Sequence, residues 1–217
     1  MGDVMVIKKI DSVEELQDVY RLRYKVYCLE RQYEKSEDHP SGLEMDEFDP
    51  YSVHFICYEE SVPVGTVRLI LPNPVGFPIE SHCNISVREK CGVAGKAAEI
   101  SRLAVSCELS RRFSIPKSHV TFGLIKELSH TAKQMRIDFL FAAMGNGLNR
   151  LLDSYGISFS KAGGPVDYHG MRTPYFAYFG ELEEKLQCKR RDIFEIFSPA
   201  PMPSRAIRKP SFAFIES

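Results

Sequence analysis

Two charged side chains stand in an apolar run where a strand would ordinarily carry none: Glu99 and Arg102 in Ala98-Glu-Ile-Ser-Arg-Leu-Ala-Val-Ser106. Alternating Ile, Leu and Val predict a buried or half-buried strand. An unpaired charge there is costly, so each needs a counter-ion, a hydrogen-bonding substrate or a water-lined cleft. Two more arginines share this setting. Arg23 falls within the apolar stripe Leu16, Val19, Tyr20, Val26 and Tyr27 of a predicted helix, and Arg68 shares a strand face with Val64, Thr66 and Ile70. Carboxylates that could answer them are gathered in one loop, as Glu44, Asp46 and Asp49. Three arginines and four acids, Glu99 included, predict a charged network lining a polar pocket. The blander alternatives are a structural ion pair on a cleft wall, an arginine snorkelling at a helix edge, and a solvated acidic turn.

The elements that would position these residues follow from periodicity and caps. A strand over Val4–Ile10 leads into a helix opened by a capping box of Ser12 and Glu15. The loop 32–50 is long enough to be functional. Ser52–Tyr58 and Val64–Leu71 read as an antiparallel hairpin. Residues 73–97 yield only a short helix near Ser86–Cys91, and the strand carrying Glu99 and Arg102 comes next. A basic loop Ser106–Lys117 precedes a long amphipathic helix over about 118–135. The final third reads as strand Ile137–Ala143, helix Asn146–Tyr155 stopped by Gly156, strand Ile157–Ala162, a strand ending the stretch from Val166, and a helix near Glu181–Gln187. A Pro-rich tail begins at Ser198. With no internal repeat and no linker, residues 1–197 are expected to form a single domain and 198–217 a tail.

Composition narrows the partners. A net charge of −1 gives no global pull toward nucleic acid or an anionic membrane. The N-terminus lacks a signal-peptide core and no apolar run approaches the ~18 residues of a membrane span, so a soluble cytoplasmic protein is expected. The six cysteines are scattered, without Cys-x-x-Cys or a histidine cluster at ligand spacing. They read as reduced thiols, and no metal is assigned.

The order of elements resembles the GNAT acyltransferase fold, an α/β (α+β) arrangement with a mixed, mostly antiparallel central sheet flanked by helices. The residues extend that resemblance. Arg23, Tyr27 and Tyr33, the acids Glu44, Asp46 and Asp49, Gly65-x-x-Arg68-Leu69 and Glu99-x-Ser101-Arg102 resemble the signature of the acyl-homoserine lactone (autoinducer) synthases. In that family these positions form the amino-donor pocket and its supporting ion pairs. A closer resemblance is to the PEP-CTERM/exosortase system-associated acyltransferases, which are themselves similar to N-acyl amino acid synthases. It rests on Arg23-Tyr-Lys-Val-Tyr-Cys28-Leu-Glu30, Glu99 through Ser106 with Arg111-Arg112, Asn149-Arg150-Leu-Leu, Gly156-Ile-Ser-Phe and Gly164-Pro-Val-Asp-Tyr-His-Gly170-Met-Arg172-Thr-Pro174-Tyr. Tyr33 stands where lactone synthases usually carry Trp, and the chain has no Trp, which argues against S-adenosylmethionine as amino donor.

The resemblance implies attack of a neutral amine on an acyl thioester held between splayed strands, with the protein supplying orientation and proton removal. Glu99, directly or through a water, is then the candidate base, and Ser101 and Arg102 complete the catalytic set. Arg23, Tyr27, Tyr33, Glu44, Asp46, Asp49 and Arg68 form the substrate-binding set, with Arg23 and Arg102 closing the acidic loop or meeting an amino-acid carboxylate. Period-two geometry puts Glu99 and Arg102 on opposite faces unless the strand bulges, as it does in GNAT-like proteins; a bulge also frees N–H groups for the thioester oxygen. Acetyl-CoA enzymes of this fold present Arg/Gln-x-x-Gly-x-Gly/Ala to pyrophosphate after this strand, where this chain has Ser110-Arg-Arg-Phe-Ser-Ile-Pro-Lys117. That favours an acyl carrier protein, whose acidic surface would meet Arg111, Arg112 and Lys117, over CoA as the donor; the alternative is an ordinary basic loop. No tightly bound cofactor is expected. The expected function is transfer of a fatty acyl group from acyl carrier protein, or acyl-CoA, to the amine of an amino acid. Rivals are a lactone synthase using S-adenosylmethionine, a catalytically silent acyl-binding protein, and a cysteine hydrolase pairing Cys28 or Cys107 with His54 or His119.

Overall fold

In the computed structural model, which describes residues 5–92 and 95–197, the polar and apolar faces sort onto an eight-stranded sheet. Its strands are β1 (Val6–Lys9), β2 (Ser52–Glu59), β3 (Val62–Ile70), β4 (Ala97–Val105), β5 (Phe139–Met144), β6 (Ser160–Lys161), β7 (Val166–Asp167) and β8 (Met171–Tyr178). They lie in the order β1-β2-β3-β4-β5-β8-β6, with β7 also pairing β8. Every pairing is antiparallel except β4 with β5, which run parallel through three residues, Ala97 opposite Phe139 to Glu99 opposite Phe141. Parallel neighbours need a crossover. The chain makes it through α4 (Cys107–Arg112) and α5 (Lys117–Gln134), placing Leu124 and Leu128 of α5 in the core. Past Glu99 no residue of β5 pairs with β4, and the two strands part.

The helix α1 (Val13–Tyr24) opens with Ser12 accepting from the Glu15 N–H, one half of the expected capping box, while the Glu15 carboxylate accepts from the Asp11 N–H at 3.1 Å and not from that of Ser12; its buried side chains are Val19, Leu22 and Arg23. It does not stop at Tyr24. The chain widens into one π-helical turn, Lys25–Glu30, which delivers Tyr27 to the sheet. Wide turns of this kind gather at functional sites.

Elsewhere the observed elements correct the reading at short segments. The basic stretch 106–117 contains α4, capped by Ser106, whose hydroxyl accepts from the Leu109 N–H. Glu30 fixes this helix by accepting from the Cys107 N–H at 2.7 Å. The irregular stretch 73–97 holds two short helices, α2 (Pro78–Cys83) and α3 (Val87–Cys91). The strand expected over 157–162 is reduced to β6. Beyond α6 (Asn146–Ser154), α7 (Phe179–Lys189) is followed by a further helix, α8 (Arg191–Phe197). Val4 and the tail from Ser198 lie outside the described residues.

Candidate active site

The network begins at Arg23, which α1 carries into the interior with 0% exposure, so it does not snorkel. Its Nε donates to Glu44 Oε2, and its Nη1 to Asp49 Oδ1 at 2.6 Å. From β3, Arg68 grips Asp46 with both arms of its fork, at 2.6 and 2.7 Å, and reaches Asp49 at 2.5 Å. Arg102 closes the set from β4, donating through Nε to Glu44 Oε1 at 3.0 Å and approaching Asp46 at 3.2 Å. The three carboxylates balance the three guanidinium groups, and planar forks matched to carboxylates are the geometry that makes such burial tolerable. Burial works against the charged form of each acid, but the arginines outweigh it and hold Glu44, Asp46 and Asp49 below the ordinary carboxylate range. The acids also shape their own loop: Asp49 accepts from the Asp46 N–H at 2.8 Å, and Asp46 from the Phe48 N–H at 2.9 Å.

Glu99 stands apart from these ion pairs. It is 2% exposed, its Oε2 accepts from the Ile79 N–H at 2.9 Å, and burial pushes its carboxyl up to about 8. The expectation of a fourth acid in the arginine network is thus corrected, because α2 brings Glu99 a backbone donor instead. Glu99 and Arg102 nevertheless line one cavity, because β4 bulges. Thr66 and Arg68 of β3 oppose Ala104 and Ser101, two steps against three, and Arg102 takes up the extra residue at φ +51°. A non-glycine residue holds that left-handed conformation only where its surroundings fix it. Here the carboxylates Glu44 and Asp46 hold its side chain.

The cavity has a volume of about 460 Å³ and two ends of different character. Glu99, Ser101, Arg102, Tyr27 and Tyr33 line its polar end. Tyr27 donates to the Leu103 carbonyl at 3.1 Å, and burial pushes its hydroxyl up to about 12. The Ser101 hydroxyl lies 3.5 Å from Arg68 Nη2. Arg23, Arg68, Glu44, Asp46 and Asp49 are not part of the lining. They sit behind it, so Arg23 is placed to hold the acidic loop and not to meet a ligand. The other end is mainly apolar, walled by Ile125 of α5, Met144 of β5, Leu152 of α6, Ile157 and Leu186 of α7, with the Lys133–Glu183 ion pair also in the lining between α5 and α7.

Four polar residues at this site were given no role in it from the sequence. Tyr168, His169 and Arg172 line the cavity, and Glu34 pairs with His169 Nε2 at 3.3 Å. Tyr168 stacks on His82 with ring centroids 4.2 Å apart, and the turn closes through His169 at φ +50° and Gly170 at +88°. The one sequence signal was the unusual run Asp-Tyr-His-Gly-Met-Arg, which has no periodicity to assign it a face.

The basic residues lie to one flank. Arg111 and Arg112 are exposed on α4, and Lys117, which begins α5, also lines the cavity. Cys107 Sγ contacts Arg31 Nη2 at 3.3 Å and Lys117 Nζ at 3.5 Å. Cys28 is buried, His119 is exposed, and burial pushes His54 down to about 4 as its Nε2 faces the Asp49 carbonyl. No hydrogen bond joins these thiols to these imidazoles among the described residues, so the hydrolase arrangement is not assembled.

Residues 22–116 match the acetyltransferase (GNAT) domain model. An acyl-homoserine-lactone synthase of Vibrio anguillarum is 28% identical over 146 residues, covering 66% of this chain and 74% of its own. Among solved structures, FeeM, an N-acyl amino acid synthase from uncultured soil microbes, superposes with a TM-score of 0.67 at 18% identity over 86% of this chain and 97% of its own. BjaI, a CoA-dependent acyl-homoserine lactone synthase solved with SAM and isopentyl-CoA, gives 0.65 at 18% identity over 89% and 88%. No helix among the described residues is long and apolar enough to cross a membrane. Sheet order and the bulged β4 give the chain a GNAT-like fold, similar over residues 22–116 to the acetyltransferase (GNAT) domain and in overall architecture to FeeM and BjaI.

Proposed function

We propose that the protein moves a fatty acyl group from a thioester, carried by acyl carrier protein, to the amine of an amino acid, within one domain spanning residues 1–197 and in the cytoplasm. The observation that carries this reading is the cavity that joins Glu99 to an apolar channel. In the proposed reaction the amine nitrogen attacks the thioester carbonyl and Glu99, directly or through a water, accepts its proton. The C–S bond then breaks, and the departing thiolate takes up a proton. A base whose proton affinity lies near neutral pH suits that task. The open edge of β4 beyond Glu99 offers backbone N–H donors to the carbonyl oxygen as it gains charge. Tyr27, Tyr33 and Arg102 bind the acceptor, Ser101 helps position it, and Arg23, Arg68, Glu44, Asp46 and Asp49 support that wall from behind. The segments that resemble those of exosortase-associated acyltransferases, and Tyr33 in place of Trp, support an amino acid as acceptor. The Vibrio anguillarum relative supports a second reading, a lactone synthase.

Purified protein, given matched acyl-carrier-protein and acyl-CoA donors with the standard amino acids or S-adenosylmethionine, tests the reading by mass spectrometry of the products. N-acyl amino acids are expected. Acyl-homoserine lactones would favour the second reading, and free fatty acid alone would reduce the protein to an acyl binder.

Two further outcomes test its parts. Reversing Arg111 and Arg112 to Glu is expected to slow the carrier-protein reaction by about tenfold at low ionic strength and to flatten its salt dependence. A small synthetic thioester should react at near wild-type rate. Unchanged carrier-protein kinetics would remove α4 from donor recognition. In the channel, Leu152→Trp fills space at the apolar end, and the preferred acyl chain is expected to shorten by several methylenes. The distribution of product lengths from a mixed donor pool measures this, and an unshifted distribution would place the chain elsewhere.

A further inference from the structure

The cations lining the cavity differ in how far their charge is already used. Arg102 is taken up by Glu44, Asp46 and Glu34, and Lys133 by Glu183. Arg31 and Lys117 are exposed and meet at Cys107, on the flank of α4. Arg172 is different. It is half-buried at the start of β8, lines the cavity, and pairs with no carboxylate among the described residues.

Its guanidinium is nonetheless held in place. Nη2 donates to the His169 carbonyl at 3.0 Å, and the group lies 5.2 Å from the centroid of the Tyr33 ring. Nη1 packs over Gly145, where a Cβ would come within 2.8 Å of it. A guanidinium carries five N–H donors, and one is used on His169. A planar cation seated on an aromatic face, with its remaining donors unspent, is prepared for a carboxylate, which it can bind with two parallel hydrogen bonds.

We propose that Arg172 binds the carboxylate of the acyl acceptor, so that the polar end selects amines bearing an acid. This inference rests on the acyl-transfer reading above. The shared chemistry is an α-amino carboxylate, carried either by a free amino acid or by the aminoacyl end of S-adenosylmethionine. A side chain at position 145 would have to displace the end of Arg172 from this seat.

The test compares acceptors with and without the acid. With each amino acid the wild type accepts, and with S-adenosylmethionine, KM is measured against the corresponding primary amide for wild type, Arg172→Gln and Arg172→Lys. The Gln variant is expected to raise KM for acids about ten- to hundredfold, as loss of a charge-assisted pair requires, with kcat and the KM for amides little changed. The Lys variant, keeping charge without the fork, should fall between. The acceptor whose KM rises, free amino acid or S-adenosylmethionine, identifies the source of the carboxylate. An undiminished preference for acids in Arg172→Gln, or a KM increase for the thioester donor instead, would overturn the proposal. Calorimetric binding of N-dodecanoyl amino acids and their primary amides to wild type and Arg172→Gln needs no turnover. A preference for the acid that disappears in the variant supports carboxylate recognition even if no acyl transfer is detected, which would count against the transfer reading alone. Equal binding of acid and amide by wild type would overturn it.

Discussion

Glu99→Gln is expected to lower kcat/KM for acyl transfer by about 10²- to 10⁴-fold while the protein remains folded. Gln keeps the shape and can still accept the Ile79 N–H that Glu99 accepts at 2.9 Å, so what is lost is the ability to take a proton. The pH dependence carries its own signature. Burial pushes the Glu99 carboxyl up from 4.5 to about 8, so wild-type rate should climb as pH rises through that value and the group ionises. The variant should lack that limb. Stability should respond in the opposite sense. A carboxyl whose folded value is raised binds its proton more tightly folded than unfolded, so its stabilising contribution is complete below about 4.5 and fades as pH rises toward 8. Glu99→Gln should therefore be at least as stable as wild type at pH 8. Full activity of the variant at neutral pH would take Glu99 out of the mechanism.

The second large effect is on folding. Arg23→Ala should cost about 3–5 kcal/mol, because it leaves Glu44 and Asp49 charged, buried and short of a partner. Arg102→Ala should cost less, since each carboxylate keeps one arginine in either variant but Arg102 and its partner Asp46 are partly exposed, at 12% and 22%, where Arg23, Glu44 and Asp49 are not. The network also sets an acid limit. Its three carboxylates are held below their unfolded values, so their contribution is present above about 4.5 and is lost as pH falls through the folded values. Denaturant unfolding at pH 7 and pH 3 measures both effects. A midpoint for Arg23→Ala equal to wild type at pH 7 would mean that water reaches these charges.

The participants in the network were legible because arginines on apolar faces are conspicuous, and Arg23, Arg68 and Arg102 all proved to be buried or nearly so. Who pairs with whom was not, since the partners are 19 to 58 positions apart in the chain. Glu99 illustrates the deeper limit. Its hydrogen-bond donor is the backbone of Ile79, and a backbone N–H leaves no mark in side-chain identity. The bulge at Arg102 came from the family resemblance, because period-two parity by itself assigns Glu99 and Arg102 to opposite faces. α4 was missed for a different reason: six residues are too few to display a helical period, even with Ser106 as a cap. The apolar channel was invisible because its wall uses the same Ile, Leu and Met that fill any core.

That shared composition has a consequence for the protein's persistence in the cell. Ile125, Ala142, Met144, Leu152, Ile157 and Leu186 belong at once to a hydrophobic cluster and to the cavity wall. α6 and α7 therefore lean partly on space. An acyl chain seated there would make the contacts that a missing core side chain would have made, at roughly 0.8 kcal/mol for each buried methylene. Loaded molecules would open and be degraded more slowly than empty ones.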